Sequence, residues 1–282
     1  MENFYQKTVS IVQDELNNIN DLMFEIADYP VNYLGSFLSH SGKKIRPVLA
    51  FLFLKMFHCE IDKSQLKLQA SVELAHNASL IHDDIIDCCK MRRNSETFET
   101  KFDTKTAVMT GDYILSSAFK MLLDIGNLEI INDFVETFSL MSKAEINQYF
   151  ERFKMPEFDN YIEKTTNKTA KLFETGLKSS AILAKEDLKL WGDFGLNFGI
   201  AFQIKNDLDN FYGDNSDVKN GIYTAPVIYS ASKEITRDGI HKTELLINNY
   251  LDKCGEILLK CPQNEYREAL EGILRLYKNE DI

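Results

Sequence analysis

LKLQASVELAHNASLIHDDIID, residues 66–87, is the stretch whose reading decides the fold. Leu66, Ala70, Leu74, Ala78 and Ile81 recur at spacings of three and four, the period of one helix face. Outward in both directions the chain lacks helix breakers: the prolines are 30, 47, 156, 226 and 262, so none lies between Lys55 and Met155. Val108, Leu115, Ala118, Phe119 and Leu122 repeat the helical spacing, and no period-two alternation is sustained. These patterns predict helices over 3–17, 31–39, 44–57, 64–88, 104–124, 128–150, 158–184, 187–212, 224–232, 234–258 and 263–278. No linker, composition shift or repeat divides them, so the expectation is a single all-α domain over 1–282, built as one large helix bundle.

Composition narrows the function classes. With 44% apolar residues in 282, the chain can bury a sizeable core. A net charge of −11 argues against nucleic acid as the partner, because phosphate contacts need a basic face. The longest apolar run, Val48–Leu54, is seven residues and predicts no integral membrane segment. The first residues lack the basic-then-apolar layout of a signal peptide, and five cysteines without a CxxC pair make no disulfide framework. A cytoplasmic protein is expected.

The end of the quoted stretch carries chemistry. Asp83, Asp84 and Asp87 fall within about 100° of one another on a helix, near a C-terminus that adds negative potential. Divalent cations relieve such crowding, and Mg²⁺ takes carboxylate oxygens while leaving positions for phosphate. Alone, the trio reads more readily as a solvated helix end than as a metal site. Its neighbourhood says otherwise, because Arg92 and Arg93 follow, and upstream Gly42-Lys43-Lys44-Ile45-Arg46-Pro47 forms a basic loop opening a helix. In an acidic chain these clusters describe two neighbouring diphosphate sites, one with metal and one without.

GKKIRP, ELAHNASLIHDDIID, MRR, GDYILSSAF, NKTAKLFE, FGIAFQIKNDLDN and the spacing to TAPVI together resemble the trans-polyprenyl diphosphate synthases. The likeness runs from about Gly42 to Pro226, and the uninterrupted DDxxD is similar to long-chain, octaprenyl-type members. It implies the isoprenoid synthase fold, an all-α bundle around a central cavity. The activity implied is condensation of isopentenyl diphosphate with an allylic prenyl diphosphate, with Mg²⁺ as cofactor. By resemblance, Lys43, Arg46, His76 and Arg93 hold isopentenyl diphosphate. Asp83, Asp84 and Asp87 hold Mg²⁺ on the allylic diphosphate, touched also by Arg92, Lys168, Thr169 and Gln203. A homodimer is implied, with a heteromer as the alternative.

The second acidic motif departs from the family's DDxxD. Its positions read Asn206-Asp207-Leu208-Asp209-Asn210, so only Asp207 stays in register as a metal ligand. Helical geometry sends Asp209 elsewhere. A lysine usual two residues before the threonine of TxP is Ile222, and the nearest cation in sequence is Lys219. The departure keeps two alternatives: a regulatory subunit of a heteromeric synthase, and a terpene cyclase with a metal triad at Asn206, Asn210 and Asp214. Gly192, Gly195 and Gly199 recur along one helix and read as close helix packing rather than phosphate binding. Ser71, Ala75 and Ser79, small residues in a row behind Asp83, predict a groove for a growing apolar chain.

Overall fold

The computed structural model describes residues 2–27, 32–39, 42–92, 95–213 and 215–278. The chain divides into two compact units, one of Val9–Ile131 and one of Met1–Thr8 with Asn132–Ile282. In chain order the helices are α1 Glu2–Ser10, α2 Gln13–Ala27, α3 Asn32–Ser39, α4 Ile45–Met56, α5 Lys63–Ile86, α6 Phe98–Lys101, α7 Thr104–Ile125 and α8 Leu128–Phe150. Then come α9 Phe158–Thr165, a π-helical turn Thr166–Ala170, α10 Lys171–Ala184, α11 Leu188–Tyr212, α12 Ser216–Lys219, α13 Ala225–Ser230, α14 Arg237–Leu258 and α15 Glu265–Lys278.

The first unit is organised on α5. Asp62 caps it, its side chain accepting from Gln65 N at 2.9 Å, and all eight residues from Leu68 to Ala75 are buried. The helix is therefore enclosed on every side over two turns, more completely than its apolar stripe predicts. Its principal neighbour is α7, capped by Asp103 and ended by Gly126 at φ 75°. Gly111 of α7 receives the His82 ring, which lies 2.3 Å from where a β-carbon would sit. His82 is thus a packing residue. After α5 the two-residue strands β1 Met91–Arg92 and β2 Ser95–Glu96 pair antiparallel.

In the second unit α11 is central, packed on α10, α14 and the π turn. Asp187 caps it, accepting from Lys189 N and Leu190 N at 2.9 and 3.0 Å. Close approach to α10 depends on two of the three glycines. A β-carbon at Gly195 would meet Phe173 O at 2.7 Å, and one at Gly199 would meet Ala170 Cα at 2.6 Å. Gly192 has space, with nothing nearer than 3.8 Å. Trp191, Phe194 and Phe198 fill the core along α11, the last edge-on to Tyr277 at 5.2 Å.

Three expectations need correction. The helix expected over 3–17 breaks after Ser10 and restarts at Gln13, extending to Ala27. The helix expected over 158–184 contains the π turn, where Lys171 N–H donates to Thr166 O five residues back. The hairpin, α6 and α12 were not foreseen, being two to four residues long. The start of the helix expected at 31 lies outside the described residues.

Candidate active site

The first cluster lies in the Val9–Ile131 unit. Asp83 and Asp84 occupy the last turn of α5 and Asp87 is its capping residue. Asp83 and Asp87 are half-buried, whereas Asp84 is only 3% exposed. Arg92, held on β1, donates from Nε to Asp84 Oδ1 at 2.6 Å. The hairpin sets that contact: Thr97 N donates to Lys90 O at 3.1 Å and Cys89 N to Asp84 O at 2.8 Å, folding the chain back on the helix end. Arg92 therefore neutralises one of three crowded carboxylates, a role the sequence reading gave to metal and substrate alone. Burial and the charges of Asp84 and Asp87 raise the neighbouring Cys89 thiol above its ordinary value, favouring its protonated form.

In the same unit, Gly42 and Lys44 take left-handed backbone at φ 59° and 47°, turning the basic loop into α4. Lys43 is exposed there, Arg46 is buried in the first turn of α4, and His76 is half-buried on α5. Arg93 lies outside the described residues.

The second cluster, in the other unit, is a chain of hydrogen bonds. Thr169 Oγ1 donates to Gln203 Oε1 at 2.9 Å, and Gln203 Nε2 donates to Asp207 Oδ1 at 2.7 Å. Tyr161 OH closes it on Asp207 Oδ2 at 2.7 Å. Three of these four residues were expected from sequence. Tyr161 was not, because a tyrosine in a helical pattern reads as core. Burial pushes the Asp207 carboxyl above its ordinary range, opposed by Lys164, by the bonds from Tyr161 and Gln203, and by Lys168. The same burial, with Asp207 adjacent, raises the Tyr161 phenol and keeps it a donor. Lys168, on the π turn, is ion-paired to Glu145 of α8. Neither Glu145 nor Lys164 was singled out by sequence, since charged residues within helices ordinarily mark solvated faces.

The altered positions of the second motif separate cleanly. Asn206 is exposed. Asp209 pairs with Lys205 at 3.0 Å on the solvent side, as helical geometry predicts. Asn210 is engaged in the start of α12, donating to Ser216 Oγ at 2.8 Å and accepting from Asp217 N at 3.2 Å. Both ends of its amide are thus occupied, which disfavours the triad of a cyclase; Asp214 lies outside the described residues.

Oxygen donors of these kinds suit a hard cation such as Mg²⁺. Among the described residues no three acidic, histidine or cysteine side chains stand arranged around an ion position. One oxygen of Asp84 accepts from Arg92, and both oxygens of Asp207 accept hydrogen bonds. The donor set fits Mg²⁺ in chemistry.

Comparison with known proteins gives a consistent picture. The family model described as polyprenyl synthetase matches residues 29–253. The chain is 33% identical to decaprenyl-diphosphate synthase of Dictyostelium discoideum, over 81% of this chain and 58% of that protein. It is 31% identical to octaprenyl diphosphate synthase of Escherichia coli K12, over 71% of this chain and 66% of that one. The chain thus spans less than two thirds of the length of these two relatives. The crystal structure of a decaprenyl diphosphate synthase from Rhodobacter capsulatus superposes with a TM-score of 0.86, covering 98% of both chains at 20% identity.

Proposed function

Because the chain belongs to the polyprenyl synthetase family, we propose that it is a trans-prenyltransferase condensing isopentenyl diphosphate with an allylic diphosphate to a long-chain polyprenyl diphosphate. The observation that carries this is the complete first motif closing α5 with Arg92 drawn onto it. A fixed guanidinium beside three carboxylates is built to share a diphosphate with a divalent ion.

Asp83, Asp84, Asp87 and Asp207 would hold Mg²⁺. When bound, the ion neutralises charge developing on the departing diphosphate. Arg92 and Lys168, each ion-paired to a carboxylate, would supply positive charge to substrate diphosphate. Thr169 and Gln203 position Asp207 through their hydrogen-bonded chain. Lys43, Arg46, His76 and Arg93 are assigned to isopentenyl diphosphate, whose terminal double bond attacks C1 of the allylic substrate. The C1–O bond breaks, a carbon–carbon bond forms, and the lost proton leaves with the diphosphate, so no side-chain base is required.

The chain works in this reading as a single synthase domain, assembles as a homodimer and acts in the cytoplasm. A second reading, a regulatory subunit of a heteromer, is favoured by Asn206 and Ile222 standing where charged residues are usual. No described helix is long and apolar enough to cross a membrane. The test is incubation of the purified chain with Mg²⁺, labelled isopentenyl diphosphate and farnesyl diphosphate. Labelled products longer than twenty carbons support the synthase. No incorporation by the chain alone, with activity on adding a partner synthase, would establish the subunit instead.

A further inference from the structure

One cation in the second cluster has no task in the scheme above. Lys164 lies in the last turn of α9, its Nζ over the Tyr161 ring at 5.5 Å from the ring centre. Burial pushes its ammonium below the ordinary lysine range, Asp207, Asp217 and Glu145 oppose that shift, and Lys168 adds to it. Yet among the described residues Lys164 has no carboxylate within the 4.0 Å of an ion pair and no hydrogen bond from its ammonium. Asp207, the obvious counterion, has both oxygens occupied by Tyr161 and Gln203. Lys168, by contrast, is ion-paired to Glu145. The lysine expected to meet substrate is paired, and the one nobody would choose from sequence keeps its three donors available.

Position 222, where a lysine is usual, faces the same place. Ile222 and Lys164 line one small recess of about 30 Å³ with Tyr161 and Tyr223; its other charged residues are Glu151 and Lys154, the latter donating to Phe150 O at 3.2 Å. The backbone at 222 is firmly set: Ile222 N donates to Asp217 O at 2.8 Å, and Gly221 O accepts from Phe153 N at 2.8 Å. Gly221 itself has φ 75°, with Phe153 ring atoms 2.7 Å from a β-carbon position. The isoleucine is therefore a stable apolar wall rather than a displaced segment.

We propose that Lys164 replaces the cation missing at Ile222 and binds the diphosphate of the allylic substrate. The ammonium acts as a compact charge donating to phosphate oxygens, the mode in which lysine binds phosphate. The bland reading is that Lys164 only balances the buried Asp207. It predicts loss of folding stability without a specific loss of ligand.

This inference rests on the prenyltransferase reading, and the experiment separates the two. Inorganic pyrophosphate with Mg²⁺ is titrated calorimetrically into the full chain, its Lys164→Met and Lys164→Gln variants, and Lys164→Met combined with Ile222→Lys. Melting temperatures are recorded beside each titration. Either single variant should weaken pyrophosphate binding at least tenfold, and Ile222→Lys should bring it back to within about threefold of the natural chain. In turnover, KM for the allylic diphosphate should rise while KM for isopentenyl diphosphate stays constant. Undiminished binding in both single variants overturns the inference, as does a combined variant no better than Lys164→Met. Should Lys164→Met fail to fold, Lys164→Gln decides by the same criteria. If the natural chain neither binds pyrophosphate nor turns over, the prenyltransferase reading itself has failed.

Discussion

Gly199→Ala should damage the second cluster, whereas Gly192→Ala, two turns earlier on the same helix, should not. The new β-carbon at 199 would lie 2.6 Å from Ala170 Cα, 2.9 Å from Ala170 Cβ and 3.0 Å from a Phe173 ring carbon. Carbon atoms prefer about 3.5–4.0 Å, so α11 and the π turn must part by roughly 1 Å. The bond from Thr169 to Gln203, now 2.9 Å, starts at the residue next to Ala170 and would stretch past hydrogen-bonding distance. Overpacking of this kind costs about 1–3 kcal/mol, against a gain of up to about 1 kcal/mol from replacing a mid-helix glycine. At Gly192 only the gain applies, since its nearest neighbours are 3.8 Å away. Thermal unfolding of both variants beside the natural chain is the assay, with pyrophosphate affinity as the second readout. Gly199→Ala should melt lower and bind pyrophosphate more weakly, while Gly192→Ala melts at the same temperature or higher. Equal melting temperatures for the two variants would refute the reasoning.

Asp83→Ala should abolish turnover and leave melting unchanged, because it thins a crowded set of carboxylates. Asp84→Ala should also abolish turnover but melt lower, since Arg92 loses a 2.6 Å bond worth about 1.5–3 kcal/mol; identical melting of the two would count against the pair. Tyr161→Phe removes one of two donors to Asp207 and should raise that carboxyl further. The stability deficit is then full where Asp207 is ionised and shrinks as pH falls and the folded carboxyl protonates, which melting curves across pH will show. Ser79→Tyr, at a half-buried position, should shorten the product; Ala78→Tyr, at 2% exposure, should instead destabilise the fold, and unchanged chain length in Ser79→Tyr would remove the groove.

How far the sequence carried these conclusions depended on the kind of signal. Helices with strong caps and no proline were readable almost to the residue: 104–124 against Thr104–Ile125, and 187–212 against Leu188–Tyr212. The break after Ser10 was hidden because Ile11 and Val12 are neither glycine nor proline. Site residues embedded in motifs, such as Thr169, Gln203 and Asp207, were legible as a group, and the structure joins them. Arg92 was legible as a cation but not as the partner of Asp84, which depends on a hairpin too short to show a period. Lys164 and Glu145 were illegible for a simpler reason. Their importance lies in which charges they face across α8, the π turn and α11, and a linear pattern does not record that.

The π turn between α9 and α10 makes residue count, as distinct from residue type, part of the design. An i→i+5 turn accommodates one residue more than an α-helix would need, shifting the phase of everything before it by about 100° relative to everything after. None of Thr166, Asn167, Lys168, Thr169 or Ala170 is a helix breaker, so substitutions along the turn leave that offset in place. Loss of any one of them would let the ladder relax into a regular helix. Tyr161 would then swing away from Asp207, and Lys168 and Thr169 would no longer share an orientation with the helix that precedes them. Point mutagenesis is blind to this dependence, and a single-codon deletion exposes it at once.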